Sequence, residues 1–592
     1  MNSLHALRHS AEHVMHQAVK ELFPAIQLAM GPATDDGFYN DFDSSPQGVE
    51  PVEVTEKDFP RLEKRMRELI NLNLPITRHE ISESEAKKLF KGNPYKLEWV
   101  SDIVKKGEPI TVYWTGEPGA RNAMVDLCRG PHVASTGEIK AFKLLSVAGA
   151  YWHGDEKNKM LTRIYGTAFP SKKELEDFLQ RREEAKRRDH RKLGQELELF
   201  LISDAVGPGL ILWQPKGNII KELIEDWAKA TEKAWGYQRV TTPSITKAGL
   251  YYTSGHLPYY QKDMYPPMKL DDGAEYFLKP MNCPHHHQLY AARPRSYRDL
   301  PLRLAEYGTC YRYESSGELF GLMRVRGFAQ NDSHIYCRED QAVQEFVSVM
   351  KLHEYYYQVL GIKDYHLELA LRDPKDTHKY SGDDAMWEKA ESLMRQAVEQ
   401  VDIPMVETRG NAAFYGPKID FIIHSSIGRE FAISTNQIDL FMGDRFGLQY
   451  IDADGKEKTP VIIHRAPLGS HERFIGFLIE QFAGAFPLWL SPVQIAVLPV
   501  GESQVVYAKL VTEKLADKGL RVELWDQAES LPKRIRLAEK QKTPYMLIVG
   551  DKEVKADTVS VRVRGNQDQG VKSVPDFIEQ AVHLNHSKSL TL

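Results

Sequence analysis

Apolar residues recur every three to four positions at Leu4, Leu7, Ala11, Val14, Met15, Ala18 and Leu22, a spacing that predicts an amphipathic helix over 3–22. His5, His9, His13 and His16 gather on the opposite face, about one turn apart. From 24 to 170, short strand-like runs such as "PITVYW" alternate with Gly/Pro turns, the pattern of an α+β domain. Residues 171–200 carry dense charge of both signs and predict one exposed helix joining two domains, with i,i+4 pairs supporting it. A large segment follows, opening with a helix, "NIIKELIEDWAKATEKAWG", and a strand-like run, "YQRVTTPSI". The last hundred residues alternate strand "QIAVLPV", helix "VVYAKLVTEKLADKG", strand "RVELW", helix "LPKRIRLAEKQ" and strand "YMLIVG". That order predicts an α/β domain with a mostly parallel sheet. The expected divisions are therefore 1–170, a charged linker helix at 171–204, a middle domain at 205–488 and a final domain at 489–592.

The length of 592 residues agrees with three or four domains. Apolar runs fall short of the ~20 residues of a membrane span. The start, "MNSLHALRHSAEHVMHQ", has neither a secretory apolar core nor the Arg/Ser bias of a transit peptide. Only four cysteines occur, Cys128, Cys283, Cys310 and Cys337, too few for a disulfide framework. A reducing, cytoplasmic location is the expectation. The net charge of −5 does not by itself point to nucleic acid, although a local patch escapes such an average.

Candidate chemistry begins at "LKPMNCPHHHQLY", residues 278–290, where a cysteine precedes three histidines. Read by residue type, a metal takes either this whole stretch or only part of it. Neither GxxxxGK[ST] nor a strand-borne GxGxxG is present, so any use of ATP needs another architecture. "TCYRYESSGELFGLMRVRGFAQNDSHIY" carries Arg312, Glu314, Arg324 and Arg326, and "IIHRAPLGSHERFIGFLIE" places Arg473 at the start of an apolar helix. Guanidinium forks suit phosphate oxygens and stack on flat bases. Singly, each arginine reads as a surface or salt-bridge residue; the argument lies in the set. In the first 170 residues, "HSAEH" and "DLCRGPH" supply His9, His13, Cys128 and His132, by type a four-ligand metal set.

"TCYRYESSGELFGLMRVRGF" resembles motif 2 of the class II aminoacyl-tRNA synthetases, and "LGSHERFIGFLIE" resembles motif 3. "GYQRVTTPSI", with Pro243, is similar to motif 1, the dimer-forming element. With "KPMNCP", "RGFAQNDSH" and "AFYGPKID", the resemblance narrows to the threonyl-tRNA synthetase family and runs from "LRHSAEH" to "GDKEV". It implies an N-terminal α+β editing domain, a class II antiparallel-sheet catalytic domain and a C-terminal α/β anticodon-binding domain. The implied reaction joins threonine to ATP as threonyl-adenylate, then passes the aminoacyl group to tRNA(Thr), in a homodimer. Many relatives begin with a ubiquitin-like domain; this chain resembles the form without it.

The resemblance carries over residue by residue. It implies a Zn²⁺ held by Cys283, His334 and His464, so only one ligand comes from the 278–290 stretch. Three protein ligands with an open position mark a catalytic zinc. The reason for a metal is chemical: an apolar pocket separates threonine poorly from isosteric valine, whereas a metal accepting the hydroxyl separates them well. Asp332 would hold the substrate amine, with Gln330, Tyr415, Thr435 and Gln437 around it. Arg312 would meet the α-phosphate, with Glu314 beside it, while Arg324 and Arg473 grip the outer phosphates and adenine. Mg²⁺ would bridge the phosphates and Lys418 would stabilise the transition state. His286 matches the family, His285 stands where glycine is expected, and the histidine run is expected as a polar turn beside the metal. Ala432 departs from a Trp-Gln-Cys-Gly run and cannot make a glutamine's hydrogen bonds.

Serine keeps the hydroxyl and lacks only a methyl, a difference of about 1–3 kcal/mol, which calls for a second site. The resemblance implies that His9, His13, Lys96, Asp126, Cys128 and His132 form a hydrolytic editing pocket that positions water without a metal. In the last domain it implies anticodon contacts for Glu553 and Arg562, with Arg564 read as a solvated edge residue. Three other readings compete. The Cys283, His334, His464 set argues against a prolyl or seryl enzyme. Intact Arg312, Glu314, Arg324 and Arg473 argue against an inactive RNA-binding regulator. A freestanding deacylase would not need 205–488.

Overall fold

The helix Ser3–Leu22 packs its apolar stripe onto a four-stranded antiparallel sheet, ordered Gln27–Met30, Phe38–Asp43, Met160–Phe169, Ala141–Tyr151. Leu7, Ala11, Val14 and Met15 join Phe38, Phe42, Leu62, Met66 and Ile164 in one core. The histidine face is no solvated surface: His9, His13 and His16 are buried as well. A second sheet, Ile76–Ile81, Ile110–Thr115, Met124–Leu127, ends just before Cys128. The helix Pro94–Lys105 is capped by Asn93, whose side chain accepts from the Lys96 N–H at 3.2 Å.

The computed structural model describes residues 3–48, 50–376, 380, 383–425, 428 and 430–592. It divides into two units, Met1–Glu183 and Glu184–Leu592. The second contains an eight-stranded sheet in the order Gln238–Arg239, Leu302–Tyr311, Gly327–Cys337, Val461–Ala466, Glu430–Asp439, Lys418–His424, Tyr365–Leu371, Met405–Arg409. All pairings are antiparallel except the two at the edges. Alternation along the strands gives each face its own character. Ile335, Ile463 and Ile438 lie opposite one another and enter the main core with Ile224, Trp227, Phe346, Met350, Phe474 and Phe477 from covering helices. On that same side the Glu232 carboxylate takes Arg465 at 2.8 Å, Asn331 at 2.8 Å and Arg239 at 2.7 Å.

Three expectations change. The charged segment is two helices, Lys172–Arg188 without a buried residue and His190–Glu196. Asp189 leaves the helical conformation and caps the second helix by accepting from the Arg191 N–H at 2.8 Å, while His190 is buried against Glu480 at 2.7 Å. The motif 1 stretch is two short strands, Gln238–Arg239 and Ile245–Lys247, with Pro243 between them; proline has no N–H to give a ladder. The C-terminal sheet, ordered Val522–Leu524, Ile495–Pro499, Tyr545–Val549, Thr558–Val563, Gln567–Ser573, is mixed: parallel through its first three strands, antiparallel afterwards. Only the short helix Asp551–Ala556 separates Tyr545–Val549 from Thr558–Val563, too little chain for a parallel crossover. Among the described residues, no helix is long and apolar enough to cross a membrane.

Glu232 and Arg465 have fully buried side chains. Glu232→Gln leaves the guanidinium inside without its counter-charge, an arrangement that costs about 3–5 kcal/mol. Thermal unfolding of the full chain is expected to move to clearly lower temperature; an unchanged transition would contradict the assigned role of this pair.

Candidate active site and metal centre

Three strands put their polar alternate residues on the face of the large sheet opposite the main core. Gln330, Asp332 and His334 follow each other at i, i+2 along Gly327–Cys337. His334 lies directly across from His464, and His464 directly across from Gln437. Thr435 precedes Gln437 on the same face. Cross-strand partners of this kind have side chains within contact range. The helix Cys283–Ala291 brings Cys283 to the same place. Together they line a cleft of about 480 Å³ that also holds Arg312, Glu314, Arg324, Tyr415, Lys418, Ala432 and Arg473.

Ligand atoms of Cys283, His334 and His464 all lie within 4.8 Å of one another. His464 Nε2 faces the Asp439 carboxylate at 3.0 Å. A carboxylate only accepts, so Nε2 carries the proton and Nδ1 keeps its lone pair. Nδ1 of His464 and Nε2 of His334 are both buried without a hydrogen-bond partner. Two orphaned imidazole nitrogens and a thiol converging on one point fit a zinc ion with a further position left open. Burial raises the Cys283 thiol well above its usual range, so its thiolate calls for a cation beside it. Asp332 accepts from the Asn282 amide at 2.9 Å, and the Tyr415 hydroxyl donates to Gln437.

The other end of the cleft is cationic. Arg312 lies over the Phe328 ring at 5.0 Å. Arg324 is held by Glu314 at 2.8 Å and Glu318 at 3.2 Å. Arg473 donates to the carbonyls of Met323 at 3.1 Å and Ala432 at 3.2 Å. Burial, together with Arg312 and Arg324, lowers the Arg473 pKa. Three guanidiniums crowding each other in one cleft favour a polyanion. Lys418 pairs with Asp420 at 2.6 Å, and the Thr435 hydroxyl is buried without a partner.

A second cluster lies in the first unit. A cleft of about 330 Å³ is lined by His9, His13, Lys96, Asp126 and Cys128. His9 Nδ1 donates to the Pro131 carbonyl at 3.2 Å. Ser10 gives its only proton to the Ala6 carbonyl, so the 3.1 Å contact with His132 must be donated by His132 Nδ1. Both Nε2 lone pairs therefore point at Cys128 Sγ, from 3.3 Å and 3.2 Å. One S–H cannot satisfy two of them, and one lone pair remains free to accept a proton. Burial lowers His9 to about 4 and His132 to about 3, and raises Cys128 to about 12. Burial acts to raise Asp126, but Lys96 at 2.5 Å and His16 at 2.7 Å overcome it and hold the carboxylate ionised. The four ligand-type atoms of His9, His13, Cys128 and His132 also lie within 4.8 Å of one another, so metal-ligand spacing alone does not distinguish the two clusters.

The class II tRNA synthetase core model for the G, H, P, S and T enzymes matches residues 267–482. An anticodon binding domain matches 494–583, and the threonyl and alanyl tRNA synthetase second additional domain matches 110–165. A threonine–tRNA ligase from Staphylococcus carnosus is 47% identical over 97% of this chain and 87% of its own. The chain belongs to the threonine–tRNA ligase family. A Rubrobacter xylanophilus member is 48% identical, over 95% of this chain and 86% of its own. A crystal structure of the RNA binding domain of threonyl-tRNA synthetase from Cryptosporidium parvum aligns with a TM-score of 0.63 at 34% identity, over 67% of this chain and 98% of the other.

Within this threonine–tRNA ligase fold, the histidine run and Arg564 do not behave as expected. The histidine run is no polar turn: 285–287 form part of a regular helix and are buried, with His287 on the Tyr336 hydroxyl at 2.9 Å. His285 has a Cβ in an ordinary helical position, so the missing glycine leaves the backbone undisturbed, although both its ring nitrogens lack partners. Arg564 is no solvated edge, because it donates to the carbonyls of Phe486 at 2.6 Å and Lys542 at 3.2 Å. Glu553 caps its own helix through the Gly550 N–H at 2.9 Å, and Arg562 lies half-buried on Thr558–Val563. Sequence reasoning missed Glu306 and Asp439, and gave His16 no role beside Asp126. Glu306 had a signal: it occupies the buried phase of Leu302, Leu304, Glu306, and a charge at such a position is rare without a purpose.

A thiol near 12 is almost wholly protonated at pH 8, against roughly a quarter ionised for an ordinary cysteine. Partly offset by the greater nucleophilicity of a high-pKa thiolate, alkylation of Cys128 should be roughly 10–100-fold slower than that of an ordinary exposed cysteine. Peptide-resolved mass spectrometry should show its rate still rising about tenfold per pH unit at pH 9.5, where an ordinary thiol levels off. A plateau near pH 8.5 would contradict the neutral-thiol assignment.

Proposed function

We propose that the protein activates threonine in the 480 Å³ cleft and clears mischarged seryl-tRNA(Thr) in the N-terminal cleft. The observation that carries the first half is the meeting of Cys283, His334 and His464 with three arginines around one space. Cys283, His334 and His464 would hold a zinc ion, which would supply Lewis acidity toward the amine and hydroxyl of threonine, a demand valine cannot meet. We assign Asp332, buried beside Asn282, to accept a hydrogen bond from that amine. The threonine carboxylate oxygen then attacks the α-phosphorus of Mg²⁺-ATP, the bond to the bridging oxygen breaks, and pyrophosphate leaves. Charge grows on the α-phosphate oxygens during this step, and Arg312 is the cation we assign to it. Arg324 and Arg473 hold the outer phosphates and the adenine, Glu314 fixes Arg324, and Lys418 steadies the transition state. Gln330, Tyr415, Thr435 and Gln437 close the amino-acid end.

In the editing cleft, the free imidazole lone pair beside Cys128 is a base for water, and Lys96, aligned by Asp126, is a cation for the developing oxyanion. We read this pocket as metal-free because the Nε2 atoms of His9 and His132 both lie within hydrogen-bond distance of Cys128 Sγ. We assign 1–170 to editing, 171–204 to the connecting helices, 205–488 to activation and 489–592 to the anticodon, with Glu553 and Arg562 as base contacts. Motif 1 around Pro243 is the basis for a homodimer, and the substrates ATP, threonine and tRNA(Thr) for a cytoplasmic location.

ATP–pyrophosphate exchange with threonine, serine and valine, before and after metal stripping, tests this reading. Threonine should lead, serine should trail by about 10–200-fold and valine by about 10⁴–10⁵-fold, and chelation should abolish exchange. Absence of exchange in metal-replete protein would favour the inactive RNA-binding regulator instead. Separately, His9→Ala should leave threonine exchange intact while seryl-tRNA(Thr) accumulates; unchanged deacylation would contradict the editing assignment.

A further inference from the structure

One imidazole that does not line the cleft contacts a proposed metal ligand. His286 is fully buried, and its Nδ1 lies 2.8 Å from Nδ1 of His334. Its Nε2 lies 3.1 Å from the Glu306 carboxylate, itself buried. That carboxylate is anchored from beyond: the Thr242 N–H donates to it at 3.0 Å and the Thr242 hydroxyl at 2.7 Å. Lys279 donates to the same hydroxyl at 2.8 Å and places its ammonium 3.6 Å from Glu306. Burial acts to raise the Glu306 pKa, but its bonds and charges with His286, Lys279 and Thr242 bring it down to about 2.

The proton count along this line has one solution that leaves a ligand free. Ionised Glu306 only accepts, so His286 Nε2 carries a proton. With its N–H directed to Glu306, His286 turns the lone pair of Nδ1 to His334, whose Nδ1–H donates the 2.8 Å contact. With its proton fixed there, His334 exposes a lone pair at Nε2, the atom without a partner. A proton on Nε2 instead would block the metal position. We propose that Glu306 and His286 are positioning residues that set the tautomer and ring orientation of His334, making it a zinc ligand in this protein. His464 receives the same service from Asp439 in a single step, whereas His334 needs the intervening imidazole.

This inference rests on the zinc reading of Cys283, His334 and His464, and its test separates the two. Removal of an outer-shell partner typically costs 10–100-fold in metal affinity. Full-length wild-type protein, His286→Ala, His286→Gln and Glu306→Gln would be purified, their zinc content measured, and their zinc affinity determined by competition with a chromogenic chelator. A glutamine can donate to Glu306 through its amide nitrogen and accept from His334 through its oxygen. The expected result is one zinc per wild-type chain, a 10–100-fold weaker affinity in His286→Ala, and recovery of most of it in His286→Gln. Glu306→Gln should fall between them, with far-ultraviolet circular dichroism unchanged in all. A wild-type chain that binds no zinc overturns the metal reading itself. A wild-type chain with one zinc, and a His286→Ala variant holding it equally tightly, overturns only the relay. Equal weakening in His286→Ala and His286→Gln also overturns it, because a loss of packing alone would produce that pattern.

Discussion

The pleat of three neighbouring antiparallel strands is the constraint on which the catalytic cleft depends. His334 faces His464 and His464 faces Gln437 because the strands Gly327–Cys337, Val461–Ala466 and Glu430–Asp439 pair in one register. The same register sets Ile335, Ile463 and Ile438 in a row on the opposite face. A slip by one residue would turn the isoleucines into the cleft and the histidines into the core. Core packing and ligand placement are thus two consequences of one alignment. The core holds the alignment: Ile335, Ile463, Ile438, Phe346 and Phe474 belong to one buried cluster.

Burial then decides what the polar face can do. A buried imidazole is pushed toward neutrality, and a neutral ring has one N–H and one lone pair. Wherever a carboxylate or carbonyl takes the proton, the position of the lone pair follows. Asp439 directs His464 in this way, and Pro131 directs His9. Similar groups are therefore arranged differently in the two clefts. In the catalytic cleft, two nitrogens are left without partners beside a thiol. In the N-terminal cleft, the lone pairs of His9 and His132 face Cys128 directly. Lys96 balances the charge of Asp126 nearby, and His16 shares a hydrogen bond with it.

Much of this was readable from the residues, for identifiable reasons. The first helix announced itself by spacing, and its observed span, Ser3–Leu22, is the expected one. The resemblance brought together residues far apart in the chain that periodicity alone could never connect, such as Cys283 and His464. Spacing failed where a local contact overrode it. Asp189 broke a helix that charge pattern ran straight through, and Pro243 split a strand. The histidine run looked like a polar turn because three histidines are polar by composition; in the structure their partners, Glu306, His334 and Tyr336, lie on other strands. Arg564 was misread for the same reason, since the carbonyls that hold it come from Phe486 and Lys542. Partners distant in sequence leave no local trace.

One thiol and two imidazoles, one residue from each of three separate segments, are proposed to share a metal with room left for substrate. X-ray absorption at the zinc edge, on protein with and without threonine, tests it most directly. The expected shell has one sulfur at about 2.3 Å and nitrogen or oxygen neighbours at about 2.0–2.2 Å, with the light atoms changing when threonine binds and the sulfur unchanged. A shell without sulfur, or one saturated by four protein ligands and indifferent to threonine, would contradict it.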